Sequence, residues 1–230
     1  ILRKHYIWKN RKRFFSYSFR CNVCDGFSHT IGFINVSADF YTSPLRFDSE
    51  DWIKISAVVG ITAVASIADK EVRTFSQNNQ SNFADDLFRI DKYYYVEFMG
   101  ASVIAFYGYG LIADNNKIRK LAVKLTEAAF LSTSLTLITK TIIGRGRPYV
   151  QEGQYSFNPF TFDNDYNSLP SGHTTLAFAY STVMANEVDN VFWKIGWYSC
   201  AGLVGYARIY HNQPWFSDVL MGAAIGYFSG

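Results

Sequence analysis

The chain has 230 residues, 49% of them hydrophobic and 18% aromatic, which excludes global disorder and makes one domain with a substantial core the default. Its net charge of +3 is uneven: the first 20 residues carry seven Lys/Arg and no acid, leaving 15 basic against 19 acidic residues beyond them. A basic aromatic leader of this kind can touch anionic lipid or nucleic acid, but a solvated tail is the simpler reading, and no nucleic-acid partner is expected.

Residues 1–45 form the expected irregular basic N-terminal segment, in which short mixed runs such as HTIGFINVSADF can pair as strands. No clean apolar run there reads as a signal peptide. Cys21 and Cys24 make a lone CxxC with no second pair or nearby His pair, so neither zinc nor redox chemistry is expected of them. From 46 to 230 the pattern is that of one helical domain. Ser49 can cap, with Glu50 and Asp51 in the first turn, before the run WIKISAVVGITAVASIA at 52–68. A polar stretch, QNNQSNFADD, follows. Apolar runs come next at 93–113 and 120–143, then a long loop rich in Asn, Asp and Phe, then helical runs at 173–188, 191–207 and 215–230. Cys200 lies in one of these and reads as a small core residue. The prediction is an all-α bundle of about six helices. The last run, GAAIGYFSG, stops without a cap, so the domain is expected to be truncated at its C-terminus.

A membrane span needs about 20 apolar residues. Residues 93–113 reach that length with one Glu, and 191–207 and 215–230 come close, although Lys54, Glu97, Lys124, Glu127 and Lys194 interrupt the runs. Membrane attachment is the favoured expectation, with a soluble bundle of very apolar helices as its alternative.

Three stretches carry chemistry. In KTIIGRGRP, Lys140, Arg145 and Arg147 surround a helix end at Gly144 and Gly146; cations are favoured at a helix C-terminus whatever their function. In LPSGHTT, Pro170 and Gly172 make a turn and Ser171 can cap a helix that begins near His173. Amides at a helix start form an anion site, and a histidine beside it can protonate a leaving oxygen. In ARIYHNQPWFSDV, Arg208 offers a planar donor fork for phosphate oxygens, and Asp218 stands four residues after Pro214.

The order Lys, six residues, Arg-Pro; then Pro-Ser-Gly-His; then Arg, nine residues, Asp resembles the phosphatidic acid phosphatase type 2 / vanadium haloperoxidase superfamily, in its bacterial phosphatase branch. The resemblance spans 140 to 218 and implies that family's helical core. It implies that Lys140, Arg147 and Arg208 hold the phosphoryl oxygens, that Ser171 and the Gly172 amide complete the cradle, and that His173 is the general acid. It further implies a second histidine as nucleophile, giving a phosphohistidine, oriented by an aspartate that matches Asp218. The nucleophile position is Pro214. Ala207 also stands where the family usually has Ser. His211, three residues ahead of Pro214, is the one histidine nearby that can be asked to substitute, and it reads as an exposed loop residue.

The expected function is therefore a phosphoric-ester hydrolase lineage acting on a lipid phosphate, a lipid pyrophosphate or a small phosphomonoester, its activity in doubt because of Pro214. The alternatives are a silent protein that binds phosphate or a lipid head group, and a vanadate-dependent haloperoxidase. The last is weakened because the absent histidine would also bind vanadate. No cofactor or catalytic metal is implied, since three cations stabilise the charge. The expected location is the membrane of a bacterial cell envelope with the site on its extracytoplasmic side, or else the periplasm.

Overall fold

A computed structural model describes residues 24–89, 91 and 96–230, and the side chains of 24–31 and 96 are not among what it describes. The basic leader and Cys21 thus lie outside the described residues. Two compact units divide after Tyr41. The first contributes helix α1 (Cys24–Thr42), and among the described residues no strand forms. HTIGFINVSADF is therefore helical rather than paired as strands. Ile31, Ile34 and Ala38 recur in it at helical spacing, and a lone strand has no partner to satisfy its backbone.

The second unit is the bundle: α2 (Ser49–Ala65), α3 (Asp69–Asn78), α4 (Asn82–Phe88), α5 (Val96–Ile112), α6 (Asn116–Ile143), α7 (Gly172–Glu187), α8 (Val191–Tyr210) and α9 (Phe216–Ser229). The all-α expectation holds, with the 19-residue α1 and the short α3 and α4 beyond the expected set. The polar QNNQSNFADD stretch is where α3 ends and α4 begins. Asp48, not Ser49, caps α2, its carboxylate accepting from the Asp51 amide at 3.0 Å. Ser81 caps α4 in the same way.

Helix α7 is the axis of the bundle, packed against α6, α8 and α9. Small and hydroxyl side chains make this possible: Thr174, Thr175, Ala177, Ala179, Ser181 and Ala185 are all buried along it. On α9, Gly222 and Gly226 stand four apart and meet the backbone of α7 directly. A Cβ at Gly222 would lie 2.6 Å from the Ser171 carbonyl oxygen, and one at Gly226 2.2 Å from that of Thr175. Small residues at this spacing let helix backbones approach. The contact fixes the start of α7, which carries His173, beside the start of α9, which carries Asp218. Farther along α7, Ala177, Tyr180, Val183 and Met184 join Met99, Leu125, Ala128, Ala201 and Val204 in the main core.

The run Ser49–Asn78 and helix α6 are long and apolar enough to cross a membrane. Outward-facing Trp52, Ile53, Val59, Ile61 and Val64 on α2, and Leu137, Ile138 and Ile142 on α6, are exposed.

Candidate active site

One cavity of about 190 Å³ gathers the three stretches. Its walls are Lys140, Arg147, Asn167, Ser168, Ser171, Gly172, His173, Arg208, Gln213 and Pro214. Cavities that enclose a whole drug-sized ligand run to roughly 300–1,000 Å³, so this one suits a head group rather than an entire lipid.

Each element delivers its side chain for a local reason. Helix α6 stops at Gly144, whose φ of +59° and near-contact with the Asn158 carbonyl leave no room for a side chain. Lys140 sits in the last turn and donates to the backbone carbonyls of Asn167 and Ser168. Arg147 enters from the extended residues beyond, its Nη1 on Gln213 Oε1 at 2.7 Å and its Nε without a hydrogen-bond partner. Arg208, in the last turn of α8, donates to Asp91 Oδ2 at 2.9 Å. The cavity therefore has three cations and one adjacent carboxylate, a surplus of two positive charges.

Ser171 occupies the N-cap position of α7 without making a cap bond, because its hydroxyl pairs with that of Thr174 at 2.8 Å. Gly172, the first residue of the helix, lies in the cavity wall, and a helix start placed there favours an anion. His173 stands beside them. Burial and then the neighbouring Arg208 push its pKa down to about 3, with Arg147 and Lys140 acting in the same direction and Asp91 against. With no anion present, the ring is neutral.

Asp218 does not line the cavity. It is fully buried behind it, in a cluster that sequence reading missed. Its Oδ1 accepts from Arg145 Nη1 at 2.6 Å, and its Oδ2 from the Ser168 hydroxyl and from the Trp215 amide at 2.8 Å. Arg145 Nη2 meets Asp69 Oδ2 at 2.7 Å, and Asp69 also takes the amide and the hydroxyl of Ser217. Burial pushes the Asp218 carboxyl up and Arg145 opposes that. Asp69, 76 residues from Arg145, gives no local signal of this partnership.

Pro214 is buried and forms part of the cavity wall. The last helical run was expected from 215, and α9 begins at Phe216 with Trp215 as N-cap. Asp218 at the third helical position reaches back to the Trp215 amide, and that capping sets the boundary. The turn ahead is tied down by Gln213 N to Arg208 O at 3.1 Å and by Arg73 Nε to Asn212 Oδ1 at 2.7 Å. His211 lies outside the cavity walls, its Nε2 at 3.2 Å from the Phe88 carbonyl and 3.6 Å from Asp91 Oδ1. Among the described residues no group of three or more His, Cys, Asp and Glu is placed to hold a metal ion.

Similarity to known proteins follows the same stretch. The family model described as the PAP2 superfamily matches residues 121–230. A lipid A 1-phosphatase of Porphyromonas gingivalis is 42% identical over 87 residues, 35% of this chain and 19% of that one. Another lipid A 1-phosphatase, from Rhizobium johnstonii, is 32% identical over 94 residues, 40% of this chain and 38% of that one. The matched stretch is thus well under half the length of these relatives. In fold, the chain is similar to the first transmembrane PAP2 type phosphatidylglycerolphosphate phosphatase from Bacillus subtilis. The TM-score is 0.51 at 15% identity, over 90% of this chain and 92% of that structure. Residues 121–230 thus match the PAP2 superfamily, over the stretch that carries the three motifs.

Proposed function

We propose that this chain belongs to a lineage of membrane lipid-phosphate hydrolases and keeps the phosphate cradle while lacking the attacking group. The observation that carries the reading is Pro214 in the wall of the same cavity as Lys140, Arg147, Arg208 and the start of α7. The surplus of two positive charges complements a phosphomonoester, which carries about −1.5 to −2 at neutral pH. The relatives' activity on lipid A suggests a phosphorylated lipid of the bacterial cell envelope as the ligand.

In the reaction of this lineage a histidine nitrogen attacks phosphorus and the bond to the ester oxygen breaks. That oxygen takes a proton from His173, and water then hydrolyses the phosphohistidine. Proline in the chain has no lone pair free to attack and no proton to exchange. With His211 turned toward Phe88 and Asp91, the cradle stabilises charge for a step that has no nucleophile. The protein then binds a phosphate head group and turns it over at most slowly.

The test is phosphate release from a phosphorylated lipid by the chain as it stands, by Pro214→His and by Pro214→Ala. Hydrolysis is expected from Pro214→His alone. Robust hydrolysis by the unmodified chain, abolished by His211→Ala, would overturn the reading and make His211 the nucleophile.

A further inference from the structure

Between Gln154 and Asp163 the chain carries four exposed aromatic rings: Tyr155, Phe157, Phe160 and Phe162. Tyr155 is 61% exposed, Phe160 73% and Phe162 86%. A single exposed ring is ordinary, whereas several on one loop mark a contact surface. The stretch is fastened to the end of α6. Gly146 N donates to Ser156 O at 2.9 Å, Asn158 N to Gly144 O at 2.6 Å and Phe160 N to Thr141 O at 2.7 Å.

Phe160 has a φ of +61°, a region that bulky residues adopt only under strain. There its amide reaches Thr141 O, one of the carbonyls that a helix end leaves unpaired, while the phenyl stays outside. Backbone strain and an exposed phenyl at one residue make physical sense where the surroundings are not water.

Helix α6 says what those surroundings are. Its 28 residues extend about 42 Å, against about 30 Å of bilayer hydrocarbon, so its end reaches the head-group layer. Its last turn holds Lys140 in the cavity wall, Thr141 bonded to Phe160, and exposed Ile142. Helix end, cavity cation and aromatic loop therefore share one level.

We propose that the loop at 155–162 is an interfacial collar. Tyr155, Phe160 and Phe162 rest in the head-group layer of the bilayer that α6 crosses, where aromatic side chains are favoured. This inference rests on the membrane reading above and deepens it: the collar holds the cavity at the depth of lipid phosphates, so a lipid presents its phosphate without leaving the bilayer. The occupant of the surface is membrane lipid.

The full chain, its three cysteines replaced by alanine, is reconstituted in phosphatidylcholine bilayers. It carries a nitroxide at one of Leu137→Cys, Glu152→Cys, Phe160→Cys or Phe162→Cys. Collisions with dissolved oxygen are compared with those of a water-soluble nickel chelate. Oxygen is expected to dominate at 137, oxygen and chelate to balance at 160 and 162, and the chelate to dominate at 152. Chelate dominance at both 160 and 162 with oxygen dominance at 137 overturns the collar and leaves the span standing. Chelate dominance at 137, or a chain that stays out of the bilayer, overturns the membrane reading and the collar with it.

Discussion

Arg145 and Arg147 stand two residues apart and are treated in opposite ways. Arg145 is 3% exposed and locked between two fully buried carboxylates, Asp69 and Asp218. Arg147 faces the cavity with an amide oxygen for company and one nitrogen unpartnered. The first arginine joins the start of α3, the residues after α6 and the start of α9. The second, with Lys140 and Arg208, is left with charge to give. In a segment reading RGRP, one cation serves the scaffold and the other the ligand, and burial with a carboxylate partner is what separates them.

The sharpest way to test the cavity side of that contrast is to place a histidine at 214. Pro214→His is expected to raise turnover of a phosphorylated lipid by on the order of a million-fold, the scale on which a catalytic unit depends on its nucleophile. Pro214→Ala is expected to stay inactive and folded. Equal, low activity in both variants would show that the cradle is not catalytic.

On the scaffold side, Arg145→Ala leaves Asp69 and Asp218 buried without their cation. A loss of about 3–5 kcal/mol is expected in unfolding measurements on the purified protein. Arg147→Ala removes no such support and is expected to unfold within about 0.5 kcal/mol of the parent. Similar losses from the two substitutions would erase the distinction.

Ligand binding should reverse that order. Lys140→Ala and Arg147→Ala each remove a charged contact of about 1.5–3 kcal/mol, so calorimetry is expected to show sulfate affinity falling by about 10- to 150-fold for each. Unchanged affinity in either would take that residue out of the cradle.

The smallest effect concerns His173. With its pKa near 3 the ring is neutral at pH 6, and a bound dianion moves that pKa upward by favouring the charged form. Sulfate, whose own charge is constant there, is thus expected to bind with uptake of a fraction of a proton, and more weakly as pH rises. Calorimetry in buffers of different ionisation heat reads this directly, and the uptake should vanish in His173→Asn.

How much of this was legible in the sequence follows from the range of each signal. Lys140, Arg147, Ser171, Gly172, His173 and Arg208 belong to short segments whose residues meet across helix ends, so their order along the chain already pointed to one pocket. Asp69 and Asp91 were invisible, because each acts through a partner more than 70 residues away and sits in sequence that reads as ordinary polar helix. Arg145 was read as a cation at a helix end. Only the packing of α3 and α9 against it turns it into a buried bridge. The α9 boundary fell within one residue of its expected place, and the reach of Asp218 to the Trp215 amide decided the start.

That reach also bears on heredity. Asp218 keeps three hydrogen-bond donors, none of which is the residue at 214, so folding alone accounts for it whatever residue stands there. Histidine and proline codons can differ by a single base. A lineage could therefore lose chemistry and regain it by one substitution, with no decay of the site between the two events. The aspartate at 218 is a record of the architecture it holds together.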